Sequence, residues 1–594
     1  MSATRKLRLL FLFLLSSTIL EGRPRQEASR GCSRFESNLE RSTGTNGAIR
    51  TDRNAGYGDT DVDTDVDTAA TATATILEEL ENRLSRLERR LRAVEQPVWQ
   101  MGSSEEDWES CAKGPCRCQP ETKSVSCWRQ NLLDLPAAQL VPKDVLKLDL
   151  GGNRLTALHR DTFLDMTRLN HLDLSDNSIE HLPLNLFFSL HAVTRVRLSK
   201  NLLRELHRSQ FLSTRNLRIL DASSNRLRTL PESLFLSTNS LTLLDLSCNR
   251  ISSLTGGTFH GLTTLEELLL GKNRLSTLPV ELFRDLSNLR YLGLEENRLK
   301  DVPAELFRGQ ASLRDLNARG NQLAEISAGL LAPLGRLRSL EMSDNKIARI
   351  DPTGFRGLTA LKELQLGHNR IRSLTPGLFS ECGSLERLVL YANGIESLSR
   401  GVLRGLSNLT TLFLHSNHLR TMHAELFQDT PRLRKLQLES NYLSSVPARI
   451  FDAVPFLEHL RLARNPWHCD CAASYLAVWL QRRYKARAND SESATIAEYG
   501  AGAMCRGPGT LGGKLLLRLT FHELCEGQWA SMRGLVPRLP VDLIAGVGSG
   551  RDFPEKYVHF PLSPWTFVNS QGKIYFLRFS EKFCSPIFTC ITLF

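Results

Sequence analysis

Residues 361–369 read Leu361-Lys362-Glu363-Leu364-Gln365-Leu366-Gly367-His368-Asn369, and residues 169–177 read Leu169-Asn170-His171-Leu172-Asp173-Leu174-Ser175-Asp176-Asn177. Both fit the template L-x-x-L-x-L-x-x-N. The closing Asn recurs at 153, 177, 201, 225, 249, 273, 297, 321, 345, 369, 393, 417, 441 and 465, always at an interval of 24 residues. Such regularity decides the architecture, because a unit repeated at fixed period stacks into a solenoid. The L-x-L segment alternates apolar and polar, the period of a short strand with leucines inward and the intervening residues outward. One unit cannot bury its apolar face alone. Stacking makes a continuous core, and each buried leucine then contributes about 1.5–3 kcal/mol before chain entropy is counted. The Asn side chain carries donors and an acceptor, so it can satisfy backbone groups where the strand turns and in neighbouring coils. Ten residues after the Asn comes a second column: Phe163, Phe187, Phe211, Phe235, Phe259, Phe283, Phe307, Phe355, Phe379, Phe427 and Phe451, with Leu331 and Leu403 standing in at two places. These are read as core on the convex side and not as a ligand site.

The pattern resembles the leucine-rich repeat family, and its constant length resembles the typical class of extracellular repeats. The resemblance covers roughly residues 111 to 526. It implies an α/β solenoid, a horseshoe with a parallel sheet on its concave face. An open solenoid exposes its core at both ends and needs caps. Cys111-x4-Cys116-x-Cys118-x8-Cys127, followed by Leu132, Leu135 and Pro136, resembles the family's N-terminal cysteine cap. That resemblance implies bonds Cys111–Cys118 and Cys116–Cys127. At the other end Asn465-Pro466-Trp467-His468-Cys469-Asp470-Cys471, then Trp479, Cys505 and Cys525, resembles the C-terminal cap and implies Cys469–Cys505 and Cys471–Cys525. Cys-x-Cys beside a His also fits zinc, but in a secreted chain disulfides are the better reading. Cys248 and Cys382 sit in repeats too distant to reach each other across strands spaced about 4.8 Å, so both are expected to be buried thiols. Cys32 has two readings, an inter-chain bridge or a free residue.

Outside the repeats the chain changes character. Arg5, Lys6 and Arg8 precede an apolar run from Leu9 to Leu15, the layout of a secretory signal and too short to span a bilayer. Residues 23–75 are rich in Ser, Thr, Gly and Asp. The alternation Asp59, Asp61, Asp63, Asp65, Asp67 invites a calcium reading, but no register supplies the Gly and Glu of an EF-hand loop, and a disordered acidic linker fits better. Thr75-Ile76-Leu77-Glu78 is a capping box, and Pro97 ends the run that follows. Leu77, Leu80, Leu84, Leu87, Leu91 and Val94 are spaced as a coiled-coil seam. Glu81, Glu88 and Glu95 at e with Arg83 and Arg90 at g favour parallel self-association. The seam is short, so folding back on its own chain is the rival arrangement. The organisation is thus a signal peptide over 1–22, a linker over 23–75, a short N-terminal coiled coil over 76–96 and an N-terminal cap over 111–143. Fourteen repeats over 145–464, a C-terminal cap over 465–526 and an unassigned tail over 527–594 complete it. The tail's apolar end, Phe583 to Phe594, contains Pro586 and makes a poor lipid-anchor signal.

Lys and Arg number 75 against 64 Asp and Glu, a surplus of +11 spread over 594 residues, which argues against a dedicated nucleic-acid binder. No G-x-S-x-G, H-E-x-x-H or phosphate loop is present, and neither an enzyme, a cofactor nor a metal site is expected. The family resemblance implies a secreted binding protein that takes an extracellular protein ligand on its concave face. Its layout is most similar to the acid-labile subunit and is similar also to Slit, chaoptin and Toll ectodomains. The alternatives are a matrix, adhesion or guidance protein, or the ectodomain of a truncated receptor. Outward positions on the first nine strands are mostly polar: Lys147, Asp149, His171, Asp173, Arg195, Arg197, Asp221, Asp245, Glu267, Asp315 and Glu341, with Tyr291 on the seventh. The eleventh and twelfth strands differ, presenting Arg387, Val389 and Tyr391, then Thr411, Phe413 and His415. Contiguous exposed apolar and aromatic groups with a polar rim mark a candidate ligand patch, and local cross-strand packing is the alternative. Arg482, Arg483, Lys485 and Arg487 form a basic cluster that fits either a sulfated glycan or a solvated helix end. Asn408 and Asn489 begin Asn-x-Thr and Asn-x-Ser motifs for N-glycosylation.

Overall fold

A computed structural model of the protein describes residues 98–102, 107–488 and 502–525, together with two short strands at 566–568 and 574–576. The signal, linker and seam segments, Cys32, Asn489, Cys584 and Cys590 lie outside the described residues. Fourteen three-residue strands, from Lys147–Asp149 to His459–Arg461, lie side by side, each parallel to its neighbours. Pairing is in register, so equivalent repeat positions face each other: Leu364 sits opposite Leu388, and Leu388 opposite Leu412. The central residue of each strand points into the core, and Leu172, Leu268, Leu364 and Leu412 are all buried.

The Asn column is the stitching between coils. Asn297 Oδ1 accepts from the Leu275 amide at 3.0 Å, while its Nδ2 donates to the carbonyls of Leu270 at 2.9 Å and Leu294 at 3.1 Å. One side chain therefore satisfies its own strand end and the preceding coil. The same arrangement recurs at Asn177, Asn369 and Asn441. The residue just before each Asn adopts left-handed backbone, with Gly only at 152 and 320; Asp176, Lys200, Cys248, Ala392 and Arg464 fill the same role at φ of 50° to 57°. Each such non-Gly residue carries a steric cost that the surrounding hydrogen bonds hold in place.

On the convex side the phenylalanines stack ring on ring, with centroids 5.8 Å apart for Phe187 and Phe211 and 5.6 Å for Phe355 and Phe379. The α/β expectation needs one refinement here. The convex returns are successive turns with three-residue hydrogen bonds, such as Leu169 N to Met166 O, and not α-helices. With strand, Asn turn and Phe column fixed, a 24-residue coil has too few residues left for a full helix. The helices among the described residues lie in the caps.

In the N-terminal cap, helix α1 (Asp107–Cys111) precedes an antiparallel pair (Arg117–Gln119 with Ser124–Ser126) that continues the concave sheet. Buried Gln139 ties the cap together: it accepts from the Cys116 amide at 3.0 Å and donates to the Cys111 carbonyl at 3.0 Å. The cap reaches further towards the N-terminus than the cysteines indicated. Gln100–Gly102 pairs in parallel with Leu140–Pro142, and buried Trp99 donates from its indole to the Thr162 carbonyl at 2.7 Å. In the C-terminal cap, helix α2 (Ser474–Ala488) lays Trp479 against Phe451 at 5.1 Å, closing the aromatic column. The four cap disulfides are Cys111–Cys118, Cys116–Cys127, Cys469–Cys505 and Cys471–Cys525. Cys382 is a buried free thiol, as expected. Cys248 departs from the expectation: it is half-buried and disulfide-bonded. It occupies the left-handed turn position, which points its side chain away from the core. Residues 526–594 form a separate unit, in which Thr566–Val568 pairs antiparallel with Ile574–Phe576.

Candidate functional site

The concave sheet is the surface that the fold leaves open, and its residues can be built up column by column. Most of it is charged, with ion pairs bridging neighbouring coils, as between Arg197 and Asp173 at 3.3 Å, Arg319 and Asp344 at 2.7 Å, and Arg461 and Glu439 at 3.5 Å. Burial raises the carboxyl pKa of Glu295 and Glu341 above the usual carboxylate range, and Glu296 beside Glu295 pushes it the same way.

The character changes at the eleventh and twelfth strands. In-register pairing sets Arg387 against Thr411 and Val389 against Phe413. The Arg387 guanidinium lies 5.0 Å from the centre of the Phe413 ring while its Nε reaches Glu363 at 3.0 Å. Two residues beyond the strands, Tyr391 and His415 stack face to face at 4.8 Å with an interplanar angle of 2°. His368 meets Tyr391 edge-on at 5.0 Å, and Phe413 meets His415 at 6.1 Å. The Tyr391 ring lies directly on Gly367; a Cβ there would stand 2.6 Å from the ring. Absence of a side chain at Gly367 is thus what lets the tyrosine lie flat on the sheet.

Of the residues read as the patch, Arg387 is exposed and Tyr391, Phe413 and His415 are half-buried, all on one continuous surface. Val389 is a correction. Its alternation places it at the surface, but it is 2% exposed, with the larger side chain of Phe413 as its cross-strand neighbour. Sequence reasoning missed Glu363, Gly367 and His368. The in-register pairing of the tenth strand would have pointed to them.

Burial holds the His415 imidazole below its ordinary pKa, with Arg461 and His368 acting the same way and Glu439 opposing. Its Nδ1 is buried without a hydrogen-bond partner among the described residues. Burial also raises the Tyr391 phenol, aided by Asp344, so it stays protonated. Chemically the site offers aromatic faces, one guanidinium and neutral polar groups, a surface suited to an apolar or aromatic side chain of a partner.

The other predicted sites are less concentrated. Arg482 is exposed on α2, whereas Arg483 is committed to the solenoid, donating to the Pro455 carbonyl at 2.7 Å and lying 5.4 Å from the Trp479 ring. The side chains of Lys485 and Arg487 lie outside the described residues. Asn408 is half-buried, its Nδ2 donating to the Gly383 carbonyl at 2.8 Å and its Oδ1 accepting from Arg432 at 2.6 Å. A cleft of about 470 Å³ beside the C-terminal cap holds Ser444, Ser445, His468 and Asp470. His468 and Asp470 are 3.8 Å apart there. Among the described residues no group of His, Cys, Asp and Glu is arranged to hold a metal, and no helix is long and apolar enough to cross a membrane.

Comparison with known proteins agrees with this architecture. The family model described as "Leucine rich repeat" matches residues 145–203, 215–275, 263–323, 335–395 and 383–443. A curated relative is the leucine-rich repeat and immunoglobulin-like domain-containing nogo receptor-interacting protein 1 of Xenopus tropicalis, 40% identical over 57 residues, which is 10% of this chain and 9% of that protein. Among solved structures, a chain of the Drosophila Toll–Spätzle complex aligns with a TM-score of 0.52 at 24% identity, covering 66% of this chain and 56% of that one. The chain thus spans under a tenth of the first relative and little more than half of the second. Through its fourteen stacked coils, its Asn column and these matches, the region from residue 145 to residue 464 is a leucine-rich repeat solenoid, closed by a disulfide-bonded cap at each end.

Proposed function

We propose that the chain is a secreted, non-enzymatic binding protein that takes an extracellular protein ligand on its concave face, with Arg387, Tyr391, Phe413 and His415 as the contact patch. The observation that carries this reading is the aromatic surface itself. Elsewhere the sheet is mainly charged and cross-paired, whereas here a tyrosine, a phenylalanine and two histidines are packed together under an exposed guanidinium. Aromatic residues and Arg at the centre of an open surface are the residue types that dominate binding energy between proteins. Four cap disulfides support an oxidising compartment. The Toll structure was solved in complex with Spätzle, and the Xenopus relative is named for interaction with the nogo receptor, which accords with a protein ligand. The layout of repeats and caps is like that of an acid-labile-subunit-type binding protein. Glycans at Asn408 and Asn489 belong to the same reading, and Arg482 with its helix neighbours is the candidate contact for a sulfated glycan.

The test uses the full secreted chain as bait for affinity capture from extracellular fluid, beside a bait carrying Tyr391→Ala and Phe413→Ala. The reading expects a protein retained by the first bait and lost from the second, with both baits equally folded by circular dichroism. Equal retention by both would place the ligand elsewhere.

A further inference from the structure

The residue following each convex phenylalanine divides the solenoid into two zones. In the first four repeats it is Leu164, Phe188, Leu212 and Leu236, exposed by 50%, 63%, 50% and 55%. Leu184, four residues before Phe188 in the same repeat, is exposed by 55% as well. From the fifth repeat onward the same position is polar or charged in every repeat but one, as at His260, Arg284, Arg308, Arg356 and Arg404, the exception being Ala332. Several of these are ion-paired in the ordinary manner of a solvated face, Arg284 with Glu281 and Arg356 with Glu381 among them. The buried phenylalanines beneath the strip are 5.8 to 6.5 Å apart, so its four residues form a continuous apolar ridge of three such steps. Contiguous exposed apolar surface of this kind marks a contact that something covers.

We infer that this ridge is the docking surface for the leucine seam of the chain's own residues 76–96. Three observations favour that occupant. The first is where the described chain begins. Trp99 is buried and its indole donates to the carbonyl of Thr162, two residues before Leu164, so the described chain begins against the coil that carries the first residue of the ridge. The second is length. A helix rises about 1.5 Å per residue, so Leu80 to Leu91 spans roughly 17 Å, close to three steps of the ridge at roughly 6 Å each. The third is tethering. Val94 is five residues from Trp99, and a short tether holds the seam near the ridge at an effective concentration of order millimolar, against which a second copy in dilute solution competes poorly. Docking would cover the apolar part of the convex face and leave the concave patch open.

The test is hydrogen–deuterium exchange on the full secreted chain, with its mass in solution followed by light scattering. The inference expects a monomer in which peptides spanning 77–96 are protected. In the exposed-surface variant Phe188→Asp, Leu212→Asp that protection falls by about tenfold or more, while peptides of the Asn column are unchanged. The reciprocal variant Leu84→Asp, Leu87→Asp uncovers the ridge and raises binding of an apolar-surface dye. A dimer whose 77–96 protection falls on dilution would assign the seam to a second copy and overturn the inference. Absence of protection in the parent chain, or protection indifferent to the ridge substitutions, would overturn it too.

Discussion

Asn297→Ala removes one stitch from the middle of the solenoid. The side chain lost is buried and engaged on both polar ends: Oδ1 with the Leu275 amide at 3.0 Å, and Nδ2 with the Leu270 and Leu294 carbonyls at 2.9 and 3.1 Å. A buried amide left without an acceptor costs about 1–3 kcal/mol, and carbonyls retain a second lone pair and cost less. The methyl that replaces the amide leaves a small polar gap that packing cannot close. Together these give a loss of about 3 kcal/mol. Because each repeat contacts only its neighbours, the damage must be local. The assay is urea denaturation followed by far-UV circular dichroism, joined to hydrogen exchange read peptide by peptide. Faster exchange is expected over the coils that contain Leu270, Leu275 and Leu294, with the coils after residue 400 unaffected. A loss below about 1 kcal/mol would refute the reasoning that unsatisfied backbone groups dominate at this position. Uniform loosening along the whole chain would refute the claim of nearest-neighbour coupling.

Three more expectations follow from single positions. Ala392 adopts left-handed backbone at φ 50°, so Ala392→Gly relieves a steric cost and is expected to raise the urea midpoint by the equivalent of about 0.5–1 kcal/mol, whereas Ala392→Val lowers it. His415 is neutral in the fold because burial lowers its pKa below 6.5, so the unfolded chain binds the extra proton. Its contribution to stability is therefore complete above pH 6.5 and is lost as pH falls below that value; His415→Gln should flatten the stability-versus-pH slope in that acid window, and an unchanged slope would contradict it. The Cys382 thiol is pushed up to about 12 by burial, with Glu381 adding to it, so iodoacetamide at pH 8 should leave it unmodified in the native protein and modify it in urea, as read by intact mass.

The parts of the molecule legible in the sequence are those that recur. The Asn and Phe columns announce themselves because every coil must solve the same two problems, a turn with unpaired backbone groups and a convex gap to fill. The left-handed position before each Asn was not legible, since Asp176, Lys200, Cys248 and Ala392 share no chemistry and only a backbone conformation. The cap cysteines were legible by resemblance, but the docking of Trp99 on Thr162 was not, because it joins segments 63 residues apart with no motif of its own. For the patch, alternation placed Tyr391, Phe413 and His415 on the correct face. It missed the burial of Val389 and the roles of Gly367 and His368, which depend on side chains leaning across neighbouring coils. For Cys248, the distance to Cys382 excludes only a bond between those two, and says nothing of a bond to another cysteine of the chain.

The concave patch carries the functional account, and the most direct measurement is the affinity of the captured ligand for the parent chain and for the Tyr391→Ala, Phe413→Ala variant, by biolayer interferometry at matched salt. Two aromatic anchors at the centre of an interface are worth more than about 2 kcal/mol, so the account predicts a rise in Kd of roughly thirtyfold or more, carried mainly by faster dissociation. Exchange protection across the Asn column should remain at the parent level. A Kd within about threefold of the parent, with the fold intact, would contradict the assignment of this surface as the ligand site.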